Sequence, residues 1–187
     1  MHNDIKKAVE VLKGGGIILY PTDTIWGIGC DATNPDAVAK IYKLKEREDS
    51  KSMLVLVDNP NMLNIYLNEV PEIAWDLIEL TTKPLTIIYP NAKNLAPNLV
   101  AADGSIGIRV VKHSFCEKLI YALRKPIVST SANISGKPFP KNFNTIDPSI
   151  INGVDFVVPT IYEESTSPVP SSIIQLGLGG EIKVIRE

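Results

Sequence analysis

Apolar residues near the start of the chain recur with two different periods. Ile5, Ala8 and Leu12 follow the spacing of one helix face, so residues 4–13 are predicted to form a helix. Three glycines come next, and the apolar run IILY follows them directly. This order predicts a helix end and then a buried strand over residues 17–20.

The same alternation of helix-type and strand-type segments continues along the chain. The predicted elements are helices over residues 34–48, 71–80 and 114–124, strands over 53–57, 85–89, 105–111 and 126–130, an apolar run at 155–159, and closing strands at 171–176 and 182–186. Strands that alternate with helices predict an α/β fold with a mixed parallel and antiparallel sheet. No linker separates two such units, so residues 1–187 are predicted to form a single domain.

Composition narrows the classes of protein to consider. The chain has 187 residues, of which 44% are hydrophobic and 21% charged, as in an ordinary globular domain. It has no apolar stretch approaching about 18 residues and no signal-peptide pattern at its N-terminus, so a cytoplasmic protein without a membrane segment is expected. Cys30 and Cys116 are expected to be buried reduced thiols. His2 and His113 are too few for a zinc site, and a net charge of −2 gives no general attraction to nucleic acid.

Four polar clusters stand at the predicted ends of apolar strands. They are PTDT at 21–24, KLKEREDSK at 43–51, the arginine within SIGIRVV, and STSANISG at 129–136. Ligands of open α/β sheets gather where strand ends meet loops. The clusters are therefore predicted to share one site.

The cations of the second cluster allow two interpretations. Lys45, Arg47 and Lys51 suit the C-terminal end of a helix, where they would face solvent and the helix dipole. They also suit a phosphate clamp. Residues two apart on a regular helix diverge by roughly 200°, so Lys45 and Arg47 converge on one ligand only if the helix ends there.

Arg109 stands among apolar residues of a predicted strand, where a charge needs a partner. That partner is either a carboxylate such as Asp103 or an anionic ligand, because the planar guanidinium suits phosphate.

The fourth cluster concentrates hydroxyl and amide groups. Its polar members are Ser129, Thr130, Ser131, Asn133 and Ser135. Such residues often form only caps and turns, but beside several cations they predict hydrogen bonds to phosphate and to base edges. The sequence has no P-loop, no complete GxGxxG and no nucleophile elbow, so any nucleotide is held without the common fingerprints.

Taken together, the four clusters resemble a known family. YPTDTIWGIGCDA looks like YPTDTxYGLGCDA, KEREDSK like KxRxxxK, DGSIGIRV like dGtvGvRvP, and STSANISGKP like the TSANxSG signature of the YrdC-like threonylcarbamoyl-AMP synthases. The resemblance runs from about Ile5 to Ile185 and is to the short, single-domain form. Departures are Trp26 for tyrosine, Glu48 and Val111 for prolines, and TTKPLT for WPGPLT.

The resemblance implies a reaction of L-threonine, bicarbonate or CO2, and ATP. The carbamate of threonine attacks the α-phosphate and expels pyrophosphate, and the product serves threonylcarbamoyladenosine formation beside the tRNA anticodon. It also implies a YrdC-like fold, a twisted mixed sheet flanked by helices around a concave cationic site. Mg²⁺ would accompany ATP without protein ligands, and a tRNA threonylcarbamoyl-transferase complex would receive the product.

The resemblance also implies roles for individual residues. Lys45, Arg47 and Arg109 would be catalytic partners of the triphosphate and carboxylate. The nucleotide would be bound by Lys45, Arg47, Lys51, Arg109, Ser131, Asn133, Ser135 and Arg186, and the threonine and carbamate by Thr22, Thr24, Trp26, Thr130 and Ser171. Pro21 would end the first strand, and Gly27 and Gly29 would allow close backbone approach.

Two other readings remain open. A double-stranded RNA-binding or ribosome-associated module would use the basic segment 40–51, although Glu46, Glu48 and Asp49 dilute it. Weak contact with tRNA or double-stranded RNA is compatible with either role. Related domains of hydrogenase-maturation proteins make carbamoyl-adenylate, but they sit in long multidomain chains.

Overall fold

The structure, a computed structural model, describes residues 1–46, 53–164 and 169–187. The α-helices of these segments are α1 (His2–Lys13), α2 (Pro35–Leu44), α3 (Leu63–Tyr66), α4 (Ile73–Leu80), α5 (Ser114–Leu123) and α6 (Pro148–Gly153). The strands are β1 (Ile18–Tyr20), β2 (Gly27–Gly29), β3 (Leu54–Val57), β4 (Leu85–Tyr89), β5 (Ile106–Val110), β6 (Ile127–Ser131), β7 (Phe156–Val157), β8 (Ser172–Leu176) and β9 (Ile182–Arg186). Short 3-10 helices lie at Pro60–Met62, Phe143–Thr145 and Thr160–Tyr162.

All the strands of the described segments join one sheet in the order β7-β1-β2-β6-β3-β5-β4-β8-β9. Strand pairs β1–β7, β3–β5 and β4–β8 are parallel, whereas β1–β2, β2–β6, β3–β6, β4–β5 and β8–β9 are antiparallel. The predicted mixed sheet flanked by helices is confirmed. Its strand order brings residues that are far apart in sequence side by side at the centre of the sheet.

Each face of the sheet has its own hydrophobic cluster, because successive strand residues point to opposite faces. On one face Tyr20, Leu56 and Ile127 pack against α1 and α5. On the other face Leu19 and Val55 belong to the larger cluster that includes residues of α2, α3, α4 and α6. This alternation also decides which polar residues of the central strands share a face.

Helix α2 ends earlier than the sequence pattern predicted. Its start is capped by Asn34, whose side chain accepts hydrogen bonds from the backbone N–H groups of Asp36 and Ala37. The helix ends at Leu44 instead of residue 48, and Glu46 has a φ of 51°, in the left-handed region. Lys45 therefore follows the last helical residue, and its side chain turns inward and is buried.

Strand β2 lies in the segment that sequence patterns left as a polar connection. Gly29 pairs with Ile18, and a Cβ placed on Gly29 would lie 2.5 Å from the Val128 carbonyl oxygen and 2.7 Å from the ring of Tyr20. Glycine is needed here because the Tyr20 ring crosses β2 and donates its hydroxyl hydrogen to the Val128 carbonyl at 3.1 Å. The close backbone approach predicted for Gly29 is thus a contact within the sheet.

Candidate functional site

A cleft of about 240 Å³ opens on the sheet face that α1 and α5 cover elsewhere. Its described polar wall is formed by Thr24, Arg109, Ser129, Thr130, Ser131, Ser171 and Arg186. Apolar contributions come from Ile25, Met53, Leu54, Phe139, Pro170 and Ile173. The cleft thus brings together residues of PTDT, Arg109 and STSANISG, three of the four predicted clusters, with residues of β8 and β9.

Arg109 reaches this cleft because β5 pairs in parallel with β3. In that register Arg109 lies beside Leu56, and both side chains are buried. Its guanidinium forms an ion pair with Asp23, with 3.1 Å between Nη2 and Oδ1. The sequence suggested Asp103 as one carboxylate partner, but Asp103 instead accepts hydrogen bonds from the backbone and hydroxyl of Ser105. The pairing is therefore corrected to Asp23.

Arg186 approaches the same cleft from the edge of the sheet. Its Nε and Nη2 donate hydrogen bonds to the Ser171 carbonyl at 3.0 and 2.7 Å. The Ser171 hydroxyl lies 2.8 Å from that of Thr86, which fixes the start of the β8 segment. Partial burial, and then the positive charge of Arg109, lower the pKa of Arg186. The guanidinium stays protonated, and an anion bound in the cleft would offset its repulsion with Arg109.

The polar residues of β6 continue into a loop that Lys45 anchors. The Lys45 ammonium donates to the carbonyls of Ser131 and Asn133, the latter at 2.6 Å. The Asn133 amide donates to the carbonyls of Ile134 and Lys137, and the Ser135 N–H donates to the Lys45 carbonyl at 2.9 Å. The structure thus places Lys45, Asn133 and Ser135 in contact with one another beside the cleft wall. Their assignment to the nucleotide stays a prediction.

Thr22 and Thr24 form a compact turn between β1 and β2. Their hydroxyl oxygens are 2.9 Å apart, and the Thr22 hydroxyl donates to the Ile25 carbonyl at 2.7 Å. Thr24 lines the cleft, whereas Thr22 lines a separate cavity of about 20 Å³ that Thr24 and Trp26 also border.

Trp26 lies on the other side of the sheet from the main cleft. It is buried in the larger hydrophobic cluster, its ring centroid is 5.1 Å from that of Phe143, and its Nε1 donates to Glu163 at 2.7 Å. Side-chain alternation explains the placement, because Ile25 and Gly27 face the cleft and the residue between them cannot. Trp26 also borders the small cavity beside Thr22 and Thr24, and its assignment to the threonine pocket stays a prediction.

Two of the predicted cations, Arg47 and Lys51, lie outside the described residues. Neither the ion pair of Asp23 with Arg109 nor the place of Phe139 beside the cleft was predicted from the sequence. Asp23 stands within PTDT, and a carboxylate beside an apolar strand was the available signal for a buried ion pair. Phe139 had no distinguishing pattern, and its proximity to the cleft comes from the fold alone.

Neither a metal cluster nor a membrane helix is found in the described parts of the chain. No group of three or more His, Cys, Asp or Glu side chains of these residues is arranged to hold a metal ion. None of the described helices is both long and apolar enough to cross a bilayer.

The fold and the cleft define a class of α/β protein in which a mixed sheet carries arginine and hydroxyl groups on one open face. The chain belongs to the Sua5/YciO/YrdC family, whose profile, described as "Telomere recombination", matches residues 10–187.

Curated relatives of similar length support this membership. The chain is 34% identical over 139 residues to a protein of Photobacterium profundum named threonylcarbamoyl-AMP synthase, covering 73% of this chain and 75% of the relative. A protein of the same name from Hahella chejuensis is 35% identical over 156 residues, covering 83% and 85%.

Solved structures show the same fold. P. abyssi Sua5 complexed with L-threonine superposes with a TM-score of 0.85 at 26% identity, over 92% of this chain and 50% of that chain. The chain thus spans about half the length of that protein. E. coli YciO superposes with a TM-score of 0.81 at 26% identity, over 100% of this chain and 90% of that one.

Proposed function

We propose that this protein makes L-threonylcarbamoyl-adenylate from L-threonine, bicarbonate or CO2, and ATP, with release of pyrophosphate. The observation that carries the proposal is the cleft that Arg109, Arg186, Ser129, Thr130 and Ser131 line together. Support comes from relatives named threonylcarbamoyl-AMP synthase that align with most of the chain, and from the threonine complex of P. abyssi Sua5.

The electrostatics of the cleft suit these reactants. ATP carries about four negative charges and threonine adds a carboxylate, so a site without cations would repel its own substrates. Arg109 and Arg186 supply positive charge next to neutral hydroxyl donors. Planar guanidinium groups bind phosphate and carboxylate oxygens with two parallel hydrogen bonds, which fixes orientation as well as charge.

The proposed chemistry has two steps. The threonine amine adds to CO2 and loses a proton, which gives a carbamate. A carbamate oxygen then attacks the α-phosphorus, the bond from that phosphorus to the bridging oxygen breaks, and pyrophosphate leaves with the bond electrons. Neither step needs a covalent enzyme intermediate, so the protein contributes by positioning the reactants and stabilising the negative charge that develops.

Different residues of the cleft would bind the nucleotide, the carbamate and the threonine carboxylate. Arg109 and Arg186 hold the triphosphate and the carboxylate, while Ser131 and Thr130 donate hydrogen bonds to the nucleotide and the carbamate. Thr24 and Ser171 border the threonine end. In the proposal Lys45, Asn133 and Ser135 form the nucleotide loop, and Arg47 and Lys51 add to the phosphate contacts. Thr22 contributes through its hydrogen bond with Thr24.

Mg²⁺ enters this scheme as the companion of ATP. The described side chains provide no carboxylate and histidine set for it, so the phosphate oxygens and water would be its ligands. Bound there, it would neutralise part of the phosphate charge.

The product is a reactive mixed anhydride, so it must be used soon after release. We propose that it passes to a tRNA threonylcarbamoyl-transferase complex that modifies the adenosine beside the anticodon. This role assigns the protein to the cytoplasm, where tRNA and the transferase would meet it.

Pyrophosphate release from ATP tests the proposal. We expect release by the purified protein only when L-threonine and bicarbonate are both present. Arg109→Ala and Arg186→Ala should each lose about ten- to a hundredfold in kcat/KM, because a charge-assisted hydrogen bond contributes about 1.5 to 3 kcal/mol. Arg124→Ala removes an exposed arginine outside the cleft and is the matched control. A folded protein that binds ATP but releases no threonine-dependent pyrophosphate would contradict the proposal and turn attention to RNA binding.

A further inference from the structure

We propose that Asp23 is a positioning residue that holds the Arg109 guanidinium in one orientation in the cleft. This inference rests on the proposed function, because it concerns the same site. It assigns a role in the reaction to a residue whose side chain does not line the cleft.

The Asp23 carboxylate connects two segments of the site. One oxygen lies 3.1 Å from Arg109 Nη2, and the other accepts a hydrogen bond from the Lys112 backbone N–H at 3.2 Å. Arg109 is in β5 and Lys112 lies just beyond its end, whereas Asp23 stands between the two threonines that precede β2. A single carboxylate thus ties the connection between β1 and β2 to the end of β5.

Burial makes this ion pair rigid. The side chains of Arg109 and Asp23 are 3% and 6% exposed. A buried charge without a partner is costly, and removing one member of a buried pair leaves the other uncompensated. Arg109 therefore stays against Asp23, and the carboxylate determines which way the planar guanidinium faces.

The pair also leaves part of the guanidinium available. Arg109 Nε and Asp23 Oδ1 are both buried and have no hydrogen-bond partner among the described residues, so the 3.1 Å contact between Nη2 and Oδ1 is an ion pair and not a hydrogen bond. A guanidinium has five N–H donors in one plane, so holding Nη2 beside Asp23 limits where the other donors can point. A donor without a partner, on a side chain that lines the cleft, is suited to a phosphate or carboxylate oxygen of a ligand.

Arg186 explains why an orienting group is needed. The lowered pKa of Arg186 arises partly from the charge of Arg109, so the two cations repel each other across the cleft. Without Asp23, Arg109 would turn away from Arg186 when no anion is bound. Asp23 keeps Arg109 in place beside the cleft that Arg186, held by the Ser171 carbonyl, also lines.

Asp23→Asn tests this role through the separation of kcat from KM. The carboxamide removes the charge that orients Arg109 but keeps the side-chain shape. Misplaced catalytic groups cost about a hundredfold per ångström, so we expect kcat to fall about ten- to a hundredfold. The KM for ATP should change less than about threefold, because net positive charge in the cleft rises. A wild-type kcat in this variant would overturn the proposal.

A double-mutant cycle shows whether Asp23 acts through Arg109. Asp23→Asn combined with Arg109→Ala should be no less active than Arg109→Ala alone, because the group that Asp23 orients is already gone. Its melting temperature should be higher than that of Arg109→Ala, since no buried carboxylate is left unpaired. Losses that multiply in the double variant would mean that Asp23 acts independently of Arg109, and the inference would be wrong.

Asp31→Asn is the matched control for a purely structural effect. Asp31 is also 6% exposed in its side chain and forms an ion pair at 2.7 Å with Lys125, away from the cleft residues. It should lower the melting temperature and leave kcat unchanged. Asp23→Glu supplies a folded variant if Asp23→Asn does not fold. It keeps the charge but displaces the carboxylate by one methylene, so a positioning role predicts reduced kcat, and an unchanged kcat would contradict it.

Different results would refute the proposed reaction and the proposed role of Asp23. Wild-type protein without threonine-dependent pyrophosphate release would refute the proposed reaction. The melting temperatures of the same four proteins would still report whether Asp23 and Arg109 are coupled. Normal release by wild type with multiplicative losses would refute only the role of Asp23.

Discussion

At the scale of single residues, the cleft is built around charges that the sheet can bury only because each has a partner. Arg109 is matched by Asp23, and the Lys45 ammonium by the carbonyls of Ser131 and Asn133. Buried cations held in this way favour one position, because leaving the partner would leave a buried charge uncompensated. The site is therefore largely preorganised before a ligand binds.

Trp26 gives a prediction about stability. Trp26→Phe removes the indole N–H that donates to Glu163 and leaves a smaller ring against Phe143. We expect the free energy of unfolding to fall by about 1 to 3 kcal/mol, from a lost hydrogen bond and a small cavity. Threonine KM should change little, because the variant keeps an aromatic ring beside the small cavity. Denaturant unfolding and threonine titration measure both effects.

Tyr121→Phe, which changes an exposed aromatic residue, is the control for the unfolding measurement. If Trp26→Phe raised the threonine KM at least tenfold with little loss of stability, the indole would act mainly in the threonine pocket, and the stabilising role given to its contacts with Glu163 and Phe143 would be contradicted.

At the scale of elements, the helices and long strands were predictable from hydrophobic periodicity. The amphipathic α1 and α5 and the apolar β3, β4 and β5 match the predicted segments closely. Strand β2 was not predicted, since Gly27 and Gly29 lack the side chains that give strands their pattern. Helices α3 and α6 are too short, at 4 and 6 residues, for periodicity to show them.

The glycines of β2 give a prediction with an internal control. Gly29→Ala should destabilise the fold by about 1 to 3 kcal/mol, because its Cβ would overlap the Val128 carbonyl and the Tyr20 ring. Gly27→Ala should cost less stability, since the nearest atom is the Ser129 hydroxyl oxygen at 3.2 Å. Gly27 borders the cleft, so its variant should weaken ATP binding instead.

Thermal unfolding and calorimetric ATP titration of both variants make the comparison. Equal losses of stability in Gly27→Ala and Gly29→Ala would show that the Tyr20 ring does not pack across β2 as described.

Burial of Tyr20 and Cys116, between α5 and the sheet, gives a prediction about alkaline pH. Burial raises the pKa of both groups well above their ordinary values of 10.0 and 9.0. Because the folded-state pKa is the higher one, their stabilisation is complete below the unfolded pKa and is lost as pH rises above it. We expect the denaturant midpoint to fall steadily from about pH 9 upward.

Circular dichroism during denaturant titration at neutral and alkaline pH measures this dependence. Tyr20→Phe should make the decline less steep, whereas Tyr121→Phe, at an exposed tyrosine, should not change it. A midpoint that does not depend on pH above the ordinary tyrosine pKa would mean that these groups ionise without unfolding the protein.

At the scale of the whole molecule, the site depends on strand order. The cleft takes residues from the segments around β2, β5, β6, β8 and β9, which are neighbours or near neighbours only in the folded sheet. Polar clusters at strand ends predicted that a shared site exists. The sequence did not show which side chains face the site, because it does not reveal which face of each strand is turned toward the cleft. In the structure Arg109 lines the cleft, whereas Trp26 belongs to the hydrophobic cluster of the other face.

Strand register also accounts for the ion pair that the sequence did not reveal. Asp23 and Arg109 are 3.1 Å apart in space but belong to segments far apart in the chain. Only the register of the sheet brings them together. Asp103 is nearer to Arg109 in sequence, but its carboxylate accepts hydrogen bonds from the backbone N–H and the hydroxyl of Ser105.

Isotopically labelled bicarbonate shows whether the carbon of CO2 enters the adenylate. Purified protein would be incubated with ATP, L-threonine and the labelled bicarbonate, and the mixture analysed at once by mass spectrometry. The account predicts an adenylate that contains threonine and one labelled carbon, formed together with pyrophosphate and strongly reduced in Arg109→Ala. An adenylate without the label, or none at all from folded protein that binds ATP, would contradict it.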